Sequence, residues 1–147
     1  MASESGGCLF CTLAAGEGEV SVVNEDARTI TLMDIQPVTE GHMLVIPRTH
    51  ATYLADLQPE DGAQMFRVGQ VAAASLRSSG LRCEGVNFFL ADGEAAGQEV
   101  WHVHLHVFPR FSGDGFGLRF PPDYTVRPRS ELDSAANALR RVWPTVG

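Results

Sequence analysis

An antiparallel α+β domain is the fold class this sequence predicts, and three observations carry it. Short runs rich in Thr, Val and Ile follow one another through turn residues. One long amphipathic helical pattern stands between two groups of such runs, and a second helical pattern closes the chain. Strands joined by short turns, with helices between the groups, give an antiparallel sheet with segregated helices. At 147 residues the chain can bury a core without staples and is expected to be a single domain, 1–147, with its tail, 118–147, the less diagnostic part.

The segment ARTITLMDI, 27–35, reads as a strand ending at the turn QPVTEG. HMLVIP, 42–47, reads as a second strand returning beside the first. A helix follows from Pro59 toward Ser79. Pro59 suits a first turn, where an N–H would be unused, and Glu60 and Asp61 suit the positive end of the helix dipole. Met65, Val68, Ala72 and Leu76 share one face at helical spacing. GVNFFLAD, 85–92, is a third strand, GEAAGQ a glycine-containing connection, and EVWHVHLHVFPR, 99–110, a fourth strand. The stretch 111–128 is rich in Gly and Pro without a period and reads as loop. SELD then looks like a capping box, with Ser130 as cap and Asp133 in place of the usual Glu. It opens a C-terminal helix whose expected buried face is Leu132, Ala135, Ala136, Leu139 and Val142.

A formal charge of −7 argues against a nucleic-acid partner, because counterion release needs clustered Lys and Arg. A small anionic ligand stays compatible with a locally positive site. No stretch is long and apolar enough to span a membrane, and MASESGGCLF lacks a basic segment followed by an apolar one. The expectation is a cytoplasmic protein with no membrane partner. Cys8, Cys11 and Cys83 are an odd number without secretory context, which argues against a disulfide framework.

The chemistry concentrates in WHVHLHVF, where three of the five histidines stand on alternate residues. Side chains alternate along a strand, so Val100, His102, His104, His106 and Phe108 share one face. Trp101, Val103, Leu105 and Val107 share the other, which reads as core. Three half-exposed polar residues on a sheet surface would be the plainest account, but strict period two opposite an apolar face speaks against it. A three-histidine zinc site is a second account. The outer two rings, however, start roughly 13 Å apart along a straight strand, far from converging on one ion. A third is nucleophilic catalysis, since imidazole is nucleophilic when neutral and leaves readily once phosphorylated. Protonated neighbours would then supply the positive charge the chain otherwise lacks.

GQEVWHVHLHVFPR resembles the signature of the histidine-triad family, His-x-His-x-His followed by two apolar residues with a Gly-Gln just ahead. CLFCTLAAGE, MDIQPVTEGHMLVIPRTH, LADGEAAGQ and RFSGDGFG are similar, in the same order, to stretches of its bacterial branch. The resemblance runs from Cys8 to about Gly117. It implies a sheet of about five strands with one long helix and a C-terminal helix. It also implies hydrolysis or transfer at the α-phosphate of purine nucleotide conjugates or dinucleoside polyphosphates through a covalent nucleotidyl-histidine. His104 would be the nucleophile, its other ring nitrogen donating to the carbonyl of His102. His106 would contact phosphate oxygens, Gln98 the bridging or leaving-group oxygen, and His42 would buttress the triad. Asp34 would accept from ribose hydroxyls, although on its own it reads as a turn residue at a strand end. Phe10, Leu13, Leu32 and Ile35 would line the base slot.

Two departures stand out: Glu99 where many members carry Ser or Thr, and Ala91 where some carry Asn. Pro-Arg after the triad resembles the branch acting on nucleotide polyphosphates. CLFC alone has the spacing of half a tetrahedral zinc site. The resemblance completes it with His50 and His102 as a structural zinc site with Cys8 and Cys11, no cofactor being needed for the chemistry. It also implies a homodimer that continues the sheet across an edge. Two rivals stay open, a non-catalytic nucleotide-binding regulator and a hydrolase that holds a metal on the triad itself.

Overall fold

The computed structural model describes residues 7–146, and in it five strands form one antiparallel sheet in the order β1-β2-β3-β5-β4. The elements are α1 (Leu9–Ala14), β1 (Val22–Glu25), β2 (Thr29–Met33), β3 (Met43–Pro47), α2 (Pro59–Ser78), β4 (Gly85–Phe89), β5 (Leu105–Arg110) and α3 (Arg129–Val142). The α+β class, the five strands, the long helix and the C-terminal helix are as expected. The expected first and second strands do pair, from Thr29 opposite Pro47 to Met33 opposite Met43.

Both faces of the sheet are covered at β3, which is why all five of its residues are buried. On one face Met43, Val45, Leu105 and Val107 pack with Met65, Ala72 and Leu76 of α2. On the other, Ile30, Leu32, Leu44 and Ile46 pack with Phe10 of α1 and with Cys8 at its N-cap. Helix α2 approaches β4 and β5 through bare backbone: a Cβ on Gly69 would lie 3.0 Å from the Phe88 ring and 3.2 Å from Leu105. Asp26 ties the β1–β2 turn together, accepting from the Arg28 and Thr29 amides, the Thr29 hydroxyl and Gln64 of α2.

Two elements had no signature in the sequence. Helix α1 has only six residues, too few for a readable period, and all four residues of β1 are exposed, so they show no alternation.

The histidine strand is shorter than expected. β5 starts at Leu105, and residues 99–104 run irregularly into it. Pairing with β3 ends at Val45 opposite Leu105 because of what lies beyond. Pro47 offers no N–H, and its carbonyl accepts from the His102 ring instead. Trp101 is therefore not core. It is 38 % exposed, having left the sheet before alternation can turn it toward α2, and packs edge-on against Tyr53.

The chain divides into two compact units, Met1–Phe116 and Gly117–Gly147. Within the second, α3 departs from expectation twice. Its N-cap is Pro128, whose extended ψ leads straight into the helix, so Ser130 lies inside the first turn and caps nothing. None of its residues is buried, and of the expected buried face only Ala136 is even half-buried: this short unit offers no second apolar layer to receive Leu132, Leu139 and Val142.

Gly41 closes the turn ahead of β3 with φ +104°, and a Cβ there would lie 2.9 Å from Leu76 and 3.0 Å from Leu81. Both the backbone and the space demand glycine. Gly41→Ala is expected to cost about 1–3 kcal/mol, measured by denaturant unfolding. An unchanged midpoint would show that the turn relaxes freely.

Candidate active site

His102 and His104 are each held by a backbone carbonyl and His106 by the His42 ring, and together these bonds fix the tautomers. His102, fully buried, places Nε2 2.8 Å from the Pro47 carbonyl. A carbonyl only accepts, so Nε2 carries the proton and Nδ1 keeps a lone pair. His104 places Nδ1 2.7 Å from the carbonyl of His102. Its proton therefore sits on Nδ1, and Nε2 is basic and free of protein partners among the described residues. His42 accepts the Val38 N–H at Nδ1, so its Nε2–H donates to His106 Nδ1 at 2.9 Å. His106 is left with a proton on Nε2. One face thus presents a basic nitrogen on His104 beside an N–H donor on His106.

Burial holds all four rings neutral. It lowers the pKa of His42, His102 and His104, and it takes His106, with the neighbouring His104 and His42 adding to the effect, down to about 4. The locally positive triad anticipated from composition is therefore not present near neutral pH.

These rings open on a cavity of about 550 Å³ on the α1 face of the sheet. Phe10, Leu13, Leu32 and Ile35, all expected at a base slot, line it. Phe10 also meets the His104 ring edge-on at 5.0 Å. Asp34 has two roles. Its Oδ1 accepts the Gln36 N–H, which is the turn role, while Oδ2 lies 3.5 Å from His42 Nε2 and 3.9 Å from His106 Nδ1.

Gln98 does not line the cavity. Its amide nitrogen donates to the carbonyls of Thr52 and Val100, and its oxygen accepts the Gly93 N–H. With two acceptors on one side and a donor on the other, the amide has only this orientation. It pins the turn that brings Gly97 and Glu99 to the cavity wall.

Three aromatic walls were not legible as site residues: Phe89, Phe108 and Phe116. Phe116 lies in the glycine-rich loop and is held by Arg110, which donates to its carbonyl and to Asp114 and Asn87. The contact that carries this is a charged fork meeting two acceptor residues of the loop and Asn87 of β4, a convergence that no local pattern announces.

Behind the triad, Cys8, Cys11, His50 and His102 each direct one donor atom to a common point, all within 4.8 Å of one another. His102 Nδ1 stands 3.3 Å from Cys8 Sγ, 3.5 Å from Cys11 Sγ and 3.2 Å from His50 Nδ1. Zinc bonds of about 2.0–2.3 Å in a tetrahedron give ligand edges of roughly 3.3–3.8 Å, so the four atoms have the right spacing. Both rings also have their far nitrogens on oxygens, His102 on Pro47 and His50 on the Thr52 hydroxyl, as metal-bound imidazoles do. Burial, with the Cys8 thiol alongside, pushes the Cys11 thiol up to about 11, so a thiolate there calls for a cation. The residues fit a structural zinc. Cys83 lies apart from this cluster, its thiol on the Gly85 carbonyl.

Asp34, His42 and His106 form a second group of possible metal ligands. Here the donor set does not fit, because the Val38 N–H occupies His42 Nδ1 and leaves a proton on the nitrogen that would have to bind the ion.

The HIT domain model matches residues 15–113, two-thirds of the chain. The chain belongs to the HIT family. A HIT-like protein of Mycobacterium tuberculosis is 40% identical over 122 residues, covering 79% of this chain and 84% of that protein. An adenylylsulfatase of Arabidopsis thaliana is 32% identical over 108 residues, 73% of this chain but 54% of that longer protein. Among solved structures, a Zn-bound histidine triad family protein from Mycobacterium smegmatis is 40% identical, with a TM-score of 0.74 over 95% of this chain and 100% of that one. A histidine triad nucleotide-binding protein from Candida albicans is 28% identical, with a TM-score of 0.80 over 91% and 95%.

Neutral, buried rings make stability depend on pH. Because the native pKa values lie below the unfolded value of 6.5, the unfolded chain binds protons first as pH falls. The contribution is complete above the unfolded value and is lost as pH drops toward the native one. Thermal unfolding should therefore show a falling midpoint between about pH 7 and pH 5, less steeply in His106→Asn. A midpoint that rises over that interval would contradict the assignment of neutral rings.

Proposed function

We propose that this protein is a nucleotide hydrolase or transferase acting at the α-phosphate of purine nucleotide conjugates through a covalent nucleotidyl-His104 intermediate. The observation that carries the reading is the His104 Nδ1–H bond to the His102 carbonyl, which leaves Nε2 basic at the cavity. The lone pair on Nε2 forms the N–P bond as the bond from phosphorus to the leaving group breaks. The leaving group departs with the electron pair and takes up a proton. Water, or an acceptor alcohol in transfer, then attacks phosphorus and loses its own proton, releasing the nucleotide and restoring His104. His106 Nε2–H is the donor for a phosphate oxygen, and Asp34 Oδ2 the acceptor for a ribose hydroxyl. Gln98 acts as a positioning residue, through the turn it pins.

The charge of the lining bears on the leaving group. Glu19, Asp34 and Glu99 line the cavity, and among the described residues no Arg does. Neutral histidines do not offset them. A polyphosphate would enter without a counter-charge, which favours conjugates with a neutral or cationic leaving group over the dinucleoside polyphosphates suggested by the Pro-Arg resemblance.

Cys8, Cys11, His50 and His102 would hold one zinc. Bound there, it would crosslink α1 to His50 and to the segment that leads into β5, a structural role separate from the chemistry. A homodimer is part of the same reading: β4 is one of the sheet's two outer strands, and Phe88 on it and Phe66 on α2 are exposed with rings 5.8 Å apart.

With a panel of adenylyl conjugates, His104→Asn should lower turnover at least about a thousandfold while still binding adenosine monophosphate. Mass spectrometry should find the trapped adenylyl group on His104. Adduct on another histidine would reassign the nucleophile, and binding without turnover in the unaltered protein would favour the regulator.

Purified protein should carry about one zinc per chain. Cys8→Ser should lower both the metal content and the melting temperature yet keep part of the turnover, since the attack on phosphorus uses no ion. Unchanged stability together with no zinc in the parent protein would leave CLFC as a pair of thiols.

A further inference from the structure

The opposite face of the sheet carries a second cavity, of about 490 Å³, between β1–β2 and the flank of α2. Small-ligand sites commonly run from about 300 to 1,000 Å³. Five of its lining residues are apolar, Val23, Met43, Val68, Val71 and Ala72, and six are polar. Asp26, Gln64 and Ser75 are engaged within the fold, whereas the side chains of Asn24, Thr31 and Arg67 have no partner among the described residues. Thr31 is 2 % exposed and lines the cavity, and its hydroxyl has no hydrogen-bond partner among the described residues. A buried hydroxyl left without a partner is costly, so a polar atom is called for there. Asn24 stands directly opposite Thr31 in the β1–β2 register. Among the described residues Arg67 takes part in none of the ion pairs, which engage Arg28, Arg48, Arg110 and Arg127.

The local backbone is built so that these groups converge. Pairing jumps from Val22 opposite Leu32 to Asn24 opposite Thr31, leaving Val23 as an extra residue. Strict alternation would send one of two consecutive residues to each face. The bulge instead lets Val23 and Asn24 both line the cavity.

We infer that this cavity is a binding site for a small aliphatic monocarboxylate bearing a hydroxyl next to its carboxylate, separate from the nucleotide pocket. The guanidinium of Arg67 matches a carboxylate's two oxygens, whereas a single such cation does not balance a polyanion. Asp26, also in the lining, has its carboxylate filled by four donors and adds charge that would repel a polyanion further. The neighbouring Asn24 and Thr31 suit adjacent oxygens of a hydroxy acid, and the five apolar side chains suit its alkyl tail.

The test uses the full chain and three matched probes: α-hydroxyhexanoate, hexanoate and hexanol. Backbone amide NMR titration should show α-hydroxyhexanoate shifting resonances of β1, β2 and α2, hexanoate binding more weakly, and hexanol leaving them in place. Arg67→Gln, at an exposed position, should weaken binding about tenfold or more, since a charge-assisted pair is lost. Thr31→Val should remove the preference for the hydroxy acid while keeping the response to hexanoate. Saturating adenosine monophosphate should not compete. Shifts confined to the neighbourhood of His104, displacement by the nucleotide, or an absence of shifts with all three probes would each overturn the inference. In the last case solvent alone satisfies Thr31.

Discussion

The 2.7 Å bond between His104 Nδ1 and the carbonyl of His102 decides which nitrogen of the central ring is basic, and the surrounding architecture keeps that bond in place. The carbonyl belongs to a residue whose own ring is pinned to the Pro47 carbonyl and whose Nδ1 joins the Cys8, Cys11 and His50 donors. One residue therefore links the end of β3, the start of α1 and the nucleophile. Loosening it would free His104 to adopt the other tautomer, in which the nitrogen facing the cavity carries a proton and cannot attack.

The sheet separates support from chemistry. Its α2 face is an apolar layer where β3 and β5 meet the helix, with Gly69 letting α2 settle onto Phe88 and Leu105. Its α1 face holds a smaller apolar cluster that stops at the rings. His42, anchored through Val38, continues the line of hydrogen bonds into His106. Rotation of a ring would leave a buried donor or acceptor without a partner, so the rings are preorganised by the expense of any alternative arrangement.

What the sequence made legible follows the range of each signal. Period two assigned the histidines to one face, and the helical stripe Met65–Val68–Ala72–Leu76 assigned the buried side of α2, because both are repeats within one element. The family resemblance brought Cys8, Cys11 and His50 to His102, a convergence across three segments that spacing alone could not have supplied. Trp101 failed because alternation holds only while the strand is paired, and pairing ends where Pro47 removes a donor. Ser130 failed as a cap because a proline two residues earlier set the helix start. Gln98, expected at the bridging or leaving-group oxygen, has its amide engaged by three backbone groups, partners that a Gly-Gln dipeptide does not announce. Composition anticipated protonated imidazoles, but desolvation is a property of the packed state and reverses that expectation.

The acidic lining has a further consequence for the catalytic cycle. A substrate conjugated at its α-phosphate carries one negative charge on that group, whereas the released monophosphate approaches two near neutral pH, its second pKa being about 6. Glu19, Asp34 and Glu99 therefore meet a product more anionic than the substrate that entered, with only neutral imidazoles between them. The same electrostatics that tolerates a singly charged phosphate disfavours the doubly charged one. Under the proposed chemistry, hydrolysis itself loosens the nucleotide's hold, and the pocket clears without any moving part.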